Sequence, residues 1–272
     1  MTQTWKFLLA KVPRTEARYR YCIAFTARSG STWLESLLSK TQGLGLPQEW
    51  FNPVAAGRTF QRSGCTDLPA YYSYLKRVMA RRDVFGLEMT WPQARMVLEL
   101  THPDFFADID HWFYLRRRDY VAQGVSLYKA VTNGNFHSVA AREASSVDVA
   151  YDGWQIASWI LRLLVTEHGF NAFFDARGLR PRELWYEELI ARAPQEVVGE
   201  FADTLCLPVA ARNEMRLDDL VSDFNKVGDE ANREMADRFR YEHAPFIAYW
   251  DQYREEGIVN RFLKEYPGYT VS

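Results

Sequence analysis

Short runs of consecutive apolar residues alternate along this chain with stretches of helical periodicity. Tyr21 to Thr26 (YCIAFT) has the length and composition of a buried strand, Ala27 to Ser31 is a small-residue turn, and an amphipathic helix is predicted from Thr32 to about Thr41. Val84 to Met89 (VFGLEM) predicts a second strand, stopped by Trp91-Pro92, and His111 to Leu115 (HWFYL) a third. The third strand runs through Arg116, Arg117, Arg118 and Asp119 into a helix-like run, YVAQGVSLYKAV. Within residues 150–169, Ile156, Trp159, Ile160, Leu163 and Leu164 recur at i, i+3, i+4, i+7 and i+8, which predicts a long helix with one buried face. Glu183 to Tyr186 (ELWY) predicts a fourth strand, and Pro194 falls where the first turn of a helix begins. The remainder, including NREMADRFRYE and DQYREEGIVNRFLKEYPGY, reads as charged helix with irregular breaks.

This alternation predicts an α/β fold, a parallel sheet flanked by helices. Residues 52–80 are rich in turn formers at first and helical afterwards, with Tyr71, Tyr74, Leu75 and Val78 on one face, and read as a helical cap. At 272 residues and 47% hydrophobic the chain is long enough to bury a sizeable core. No Pro-, Gly- or Ser-rich linker divides it, so residues 1–272 read as a single domain.

Charge and cysteine usage narrow the function classes. Lys and Arg number 33 against 35 acidic residues, a formal net charge of -2, so no global field draws the protein to nucleic acid and basic groups must act locally. Cys22, Cys65 and Cys206 are odd in number and lack C-x-x-C spacing, which argues against a disulfide framework and against a zinc cluster. The N-terminal apolar run, FLLA between Lys6 and Lys11, fits neither a secretory signal nor a membrane span, and a cytoplasmic location is the expectation. His102, His111, His137, His168 and His243 have no metal-ligand spacing, and no metal is expected. His137, placed after the helix that carries Ser126, reads as structural.

The candidate chemistry starts at the 27–33 turn. A turn at a helix N-terminus presents unpaired N–H donors at the positive end of the macrodipole, a ready anion site. A triphosphate P-loop needs G-x-x-x-x-G-K-[ST]. Aligned on Gly30, this chain has Phe25 in place of the first glycine and Ser31 in place of the lysine, so an ATP or GTP site is disfavoured. The Arg116 to Arg118 run sets cations at the carboxyl edge of the sheet, where α/β folds bind ligands.

The run Arg28-Ser29-Gly30-Ser31-Thr32-Trp33 resembles the phosphosulfate loop of sulfotransferases that use 3'-phosphoadenosine 5'-phosphosulfate (PAPS). Followed by Gly45-Leu46-Pro47-Gln48-Glu49-Trp50-Phe51, it is similar to the bacterial trehalose 2-sulfotransferase-like branch. LRRRDYVAQGVSLYKA resembles the family's 3'-phosphate segment, and LWYEEL a common segment at the end of a core strand. The resemblance implies a P-loop-like fold and transfer of a sulfuryl group from PAPS to a hydroxyl of a small-molecule or glycan acceptor, with PAP as product. It implies cofactor binding by Arg28, Ser29, Gly30, Ser31, Thr32, Trp33, Arg117 and Ser126, with Arg28 also acting on the bridging oxygen of the leaving phosphate. It assigns Glu49 as general base and implies a homodimer. Beside Glu49, Trp50 and Phe51 are expected to bury it and to offer a platform for a sugar ring, and the 52–80 cap is expected on the acceptor side. Many members of the branch carry Lys where this chain has Glu88, a departure that touches a substrate-side or phosphosulfate-side contact. Arg238 and Arg240 resemble a basic C-terminal segment that approaches PAPS, or form a solvated helix face. Two other functions stay open: an ATP-dependent kinase-like transferase, which stabilisation by Mg-ATP beyond that by PAP would mark, and a non-catalytic PAP-binding module, which binding without transfer would mark.

Overall fold

The computed structural model describes residues 16–134, 149–218, 220, 230–256 and 258–271. His137 lies outside the described residues. Four strands, β1 (Tyr19–Phe25), β2 (Val84–Met89), β3 (His111–Arg116) and β4 (Arg182–Trp185), form a parallel sheet in the order β2-β1-β3-β4. Parallel strands need helical crossovers, and these cover both faces, so the strands read as continuous apolar runs; all six residues of β2 are buried.

Alternation along each strand divides the core. Cys22, Ala24, Leu87, Met89, Trp112 and Tyr114 face one layer with Phe170, Phe173 and Phe174. Tyr21, Ile23, Phe25, Phe113 and Leu115 face the other with Leu34, Leu37, Leu38 and Phe201, where the Phe113 and Phe201 rings stack at 4.0 Å. The first layer includes α4 (Trp91–Leu100) and α6 (Gly153–Ala176), the second α1 (Ser31–Lys40) and α8 (Pro194–Thr204), which a short helix, α9 (Val209–Asn213), follows. Helices α5 (Tyr120–Asn133), α10 (Glu230–Glu242), α11 (Ala244–Tyr253) and α12 (Val259–Glu265) share a third cluster with α6. Among the described residues no helix is long and apolar enough to cross a membrane.

Several boundaries differ from the sequence reading for local reasons. Residues 52–80, expected to be rich in turn formers at first, start with a helix, α2 (Pro53–Ser63), because the Asn52 side chain accepts from the Val54 and Ala55 amides and Pro53 suits the first helical position. A second helix, α3 (Leu68–Val78), follows with Asp67 as its cap. The strand expected over 183–186 ends at Trp185, and Tyr186 opens a one-turn helix, α7 (Tyr186–Leu189). The long helix continues to Ala176, since Phe170, Phe173 and Phe174 prolong its apolar face.

Arg116, expected among the cations at the carboxyl edge, is instead buried in an ion-pair network. Its side chain is 2% exposed and pairs with Glu167 of α6 at 3.0 Å and with Glu255 at 2.6 Å. Arg254 pairs with Glu167 at 2.6 Å and also donates to the Arg117 and Arg118 carbonyls at 2.7 and 2.9 Å. This network anchors the exit of β3 to α6 and to the C-terminal segment. Burial pushes the Glu167 carboxyl up, but Arg254 and Arg116 outweigh it and hold it below the usual carboxylate range. Its stabilising contribution is therefore present above the unfolded-state pKa and lost as pH falls through the lowered native one. Glu167→Ala leaves two guanidinium groups short of a buried partner and is expected to cost about 3–5 kcal/mol in denaturant unfolding at neutral pH. A loss below about 1 kcal/mol would contradict this account.

Candidate functional site

Every β-to-α exit in a parallel sheet opens at one edge. Here the 27–33 turn follows β1, Thr90 follows β2, Arg117 follows β3 and Tyr186 follows β4. β1 is central, its first crossover leading to β2 on one side and the next to β3 on the other. The β1/β3 boundary is therefore the topological switch point, where such sheets open a ligand crevice.

The turn is built under local constraint. Arg28 holds φ 64 and Gly30 φ 88, both in the left-handed region. A non-glycine residue there costs of order 1–3 kcal/mol, and such positions concentrate at ligand clamps. Gly30 is required twice over, since an added Cβ would also lie 2.4 Å from the Tyr186 ring. Gly30 caps α1 without a side-chain hydrogen bond, which leaves the first amides of that helix without a side-chain partner from the cap. Ser29 is fully buried and, among the described residues, its Oγ is without a hydrogen-bond partner. Ser31 is buried and Thr32 half-buried. Trp33 packs against the core, so its backbone rather than its ring belongs to the turn.

The β3 exit meets this turn directly. Arg28 Nε donates to Ser126 Oγ at 3.1 Å, so Ser126 faces the turn rather than solvent. Gln123, one helical turn earlier and fully buried, donates to Thr26 Oγ1 at 2.8 Å and to the Ala27 carbonyl at 2.7 Å, fixing α5 against β1. Arg117 lies over the Tyr186 ring at 5.1 Å and pairs with Glu187 at 3.5 Å. Glu187 also accepts from the Arg118 and Asp119 amides at 3.0 and 3.3 Å. Burial and then the facing Arg117 guanidinium pull Arg28 down from its ordinary value. Two guanidinium groups and a serine hydroxyl thus converge beside an uncapped helix start, an arrangement that an anion stabilises.

The flanking cations do other things. Arg118 is exposed and pairs with Glu188. Arg240 forks onto Asp119 at 2.8 and 2.9 Å, and Asp119 in turn caps α5 through the Ala122 amide. Arg238 pairs with Glu242 on an exposed helix face.

Glu49 stands at the β2 end of the same edge. Gln48 bridges Leu87, and the Glu88 amide donates to the Gln48 carbonyl at 3.1 Å, so the 45–51 segment runs alongside β2. Glu49 Oε2 accepts from Asn52 Nδ2 at 2.8 Å and from Gln93 Nε2. Two further carboxyls face it. Burial raises Glu35 of α1, with a hydrogen bond from Gln48 opposing and the Glu49 charge adding to the rise. Burial, then Glu35 and Glu49, hold Glu88 well above the carboxylate range, and among the described residues its Oε2 has no hydrogen-bond partner.

The expected aromatic platform is absent. Phe51 is 4% exposed, with ring centroids 5.7 Å from Phe106 and 6.0 Å from Phe105 and Tyr72. Trp50 is also buried and donates to the Leu46 carbonyl at 3.0 Å. Both rings serve the core and cannot stack on a sugar.

Sequence reasoning missed Gln123, Glu35, Asn52 and Gln93, and took in Tyr186 and Glu187 only as part of the LWYEEL segment, with no site role. Local signals existed for three of them: Gln123 shares a helix face with Ser126 at i−3, Asn52-Pro53 is a helix-start pair, and Thr90-x-x-Gln93 is a capping box. A raised carboxyl stabilises the fold below its unfolded-state pKa, and that stability is lost as pH rises toward the native one. Glu88→Gln removes this dependence. Its unfolding temperature is expected to gain on the parent as pH rises from about 4 to about 8, whereas a constant difference would contradict a buried, neutral Glu88.

The family profile described as "Stf0 sulphotransferase" matches residues 20–242. Among solved structures the chain is similar to the sulfotransferase domain from the Synechococcus PCC 7002 olefin synthase, 17% identical, with 85% of this chain and 90% of that one covered and a TM-score of 0.39. No curated protein matches the chain. Since the family match takes in all four strands and the turns and helix starts along their carboxyl edge, the chain belongs to the Stf0 sulphotransferase family and is a sulfotransferase.

Proposed function

We propose that this sulfotransferase is a single-domain enzyme that moves a sulfuryl group from PAPS to a hydroxyl of a saccharide or glycoconjugate, with the 52–80 helices capping the acceptor side. The observation that carries the donor assignment is the convergence of Arg28, Arg117 and Ser126 at the switch point, beside the uncapped start of α1. Anionic groups set against the two guanidiniums relieve their repulsion, and Arg, always charged and forked, suits phosphate oxygens. The orphaned Ser29 Oγ offers a further partner. PAPS supplies a 3'-phosphate for Arg117 and Ser126 and a 5'-phosphosulfate for Arg28 and the Ser29 to Trp33 turn.

The acceptor oxygen forms a bond to sulfur as the bond from sulfur to the leaving phosphate oxygen breaks. Arg28 and the α1 amides stabilise charge on that leaving oxygen, and Glu49 takes the acceptor's proton. Catalysis rests on positioning and fixed charge, as in phosphoryl transfer. The strand order supports this division of labour: Glu49 sits by β2, the turn follows central β1, and Arg117 follows β3 on the far side.

Incubation with labelled PAPS and a saccharide panel headed by trehalose is expected to yield labelled saccharide with PAP release. Absence of both PAP binding and PAP release with every acceptor would overturn the proposal. Glu49→Gln is expected to lower kcat by about 10²-fold or more with PAP affinity unchanged. Wild-type turnover in that variant would remove Glu49 as the base.

A further inference from the structure

Two amide side chains hold the Glu49 carboxylate, and each is itself fixed by a helix start. Asn52 Oδ1 accepts from the Val54 and Ala55 amides at 3.0 and 3.3 Å, and Gln93 Oε1 accepts from the Thr90 amide at 2.9 Å. With each amide oxygen committed to a helix cap, each NH₂ group has one orientation left, toward Glu49 Oε2. The amide direction is therefore set by the fold of α2 and α4 rather than by Glu49. Among the described residues the other carboxylate oxygen, Oε1, accepts no hydrogen bond.

We infer that Gln93 and Asn52 are positioning residues for the proposed base: they bind Oε2, orient the carboxylate, and leave Oε1 as the oxygen that receives the acceptor's proton. This rests on the assignment of Glu49 above. Two N–H donors on one oxygen fix the direction of the carboxylate. They act against a hostile setting, because among the described residues the titratable groups that face Glu49 are the carboxyls of Glu35 from α1 and Glu88 from β2. Without the amides, three carboxyls would share one region with no donor on Glu49. The arrangement also explains why the 45–51 loop and the first turns of α2 and α4 meet here: two capping motifs, built for helix starts, double as the cradle of one side chain.

The double use supplies a test that separates structure from positioning. Gln93→Glu keeps the capping box, since Glu accepts the Thr90 amide as Gln does, and Asn52→Asp keeps the α2 cap. Each variant replaces an N–H donor to Glu49 by a carboxylate while the helix start survives. The Glu49 titration is read directly by ¹³C NMR of side-chain-labelled glutamate, assigned by its loss in Glu49→Gln. The midpoint is expected to rise by about one pH unit or more in each variant, with the acid limb of kcat/KM for PAPS and trehalose moving with it. Should one variant fail to fold, the other gives the same reading. Unmoved Glu49 titration in a folded variant overturns the inference. Failure of the underlying assignment looks different: Glu49→Gln then turns over at the wild-type rate even though the midpoint moves.

Discussion

The carboxyl edge is organised by a repulsion. Arg28 and Arg117 leave adjacent strands β1 and β3, and after burial the Arg117 charge pulls Arg28 down from its ordinary value. Several separate features hold them there. Arg28 is kept in a left-handed conformation and bonded to Ser126, Arg117 is laid over Tyr186 and paired with Glu187, and the Tyr186 ring closes against a glycine that tolerates no side chain. A fold retains such a like-charge arrangement where an anion completes it, and strain of this kind gathers at ligand clamps. On the proposed function that anion is the phosphate-bearing donor.

A second charge problem of opposite sign lies at the β2 end. Glu35, Glu49 and Glu88 share it, and the groups divide by environment: burial holds Glu35 and Glu88 up, while Glu49 is half-buried and carries two amide donors. Glu88 is the most deeply buried of the three, and its carboxyl feels the charges of the other two. The sheet order sets the cationic crevice between β1 and β3 apart from the acidic end at β2, with the α1 start between them.

The strand-turn-helix unit at the N-terminal side was legible in the sequence because its signals are local: an apolar run, small residues, then helical periodicity. Helix α2 was not, since Ala56 is its sole buried residue among those described and its start depends on one cap. Long-range pairing was out of reach. Arg116 finds Glu167 and Glu255 at sequence separations of 51 and 139, and Gln93 reaches Glu49 across 44. Trp50 and Phe51 misled because aromatics beside a reactive carboxylate suggest a platform, and a cluster assembled from residues 71, 72, 105 and 106 absorbs the Phe51 ring. The Arg28 to Trp33 motif and the Arg117 and Ser126 segment were both visible, but only the fold brings Arg28 onto Ser126.

The central claim is that the two arginines bind one anionic ligand together. Calorimetric titration of PAP into the wild-type protein, Arg28→Ala, Arg117→Ala and the double variant measures it as a double-mutant cycle. The account predicts binding by the wild type, a loss of about tenfold or more in each single variant, and a double variant whose loss departs from the product of the two. PAP binding that is indifferent to both substitutions, or no PAP binding at all, would contradict it.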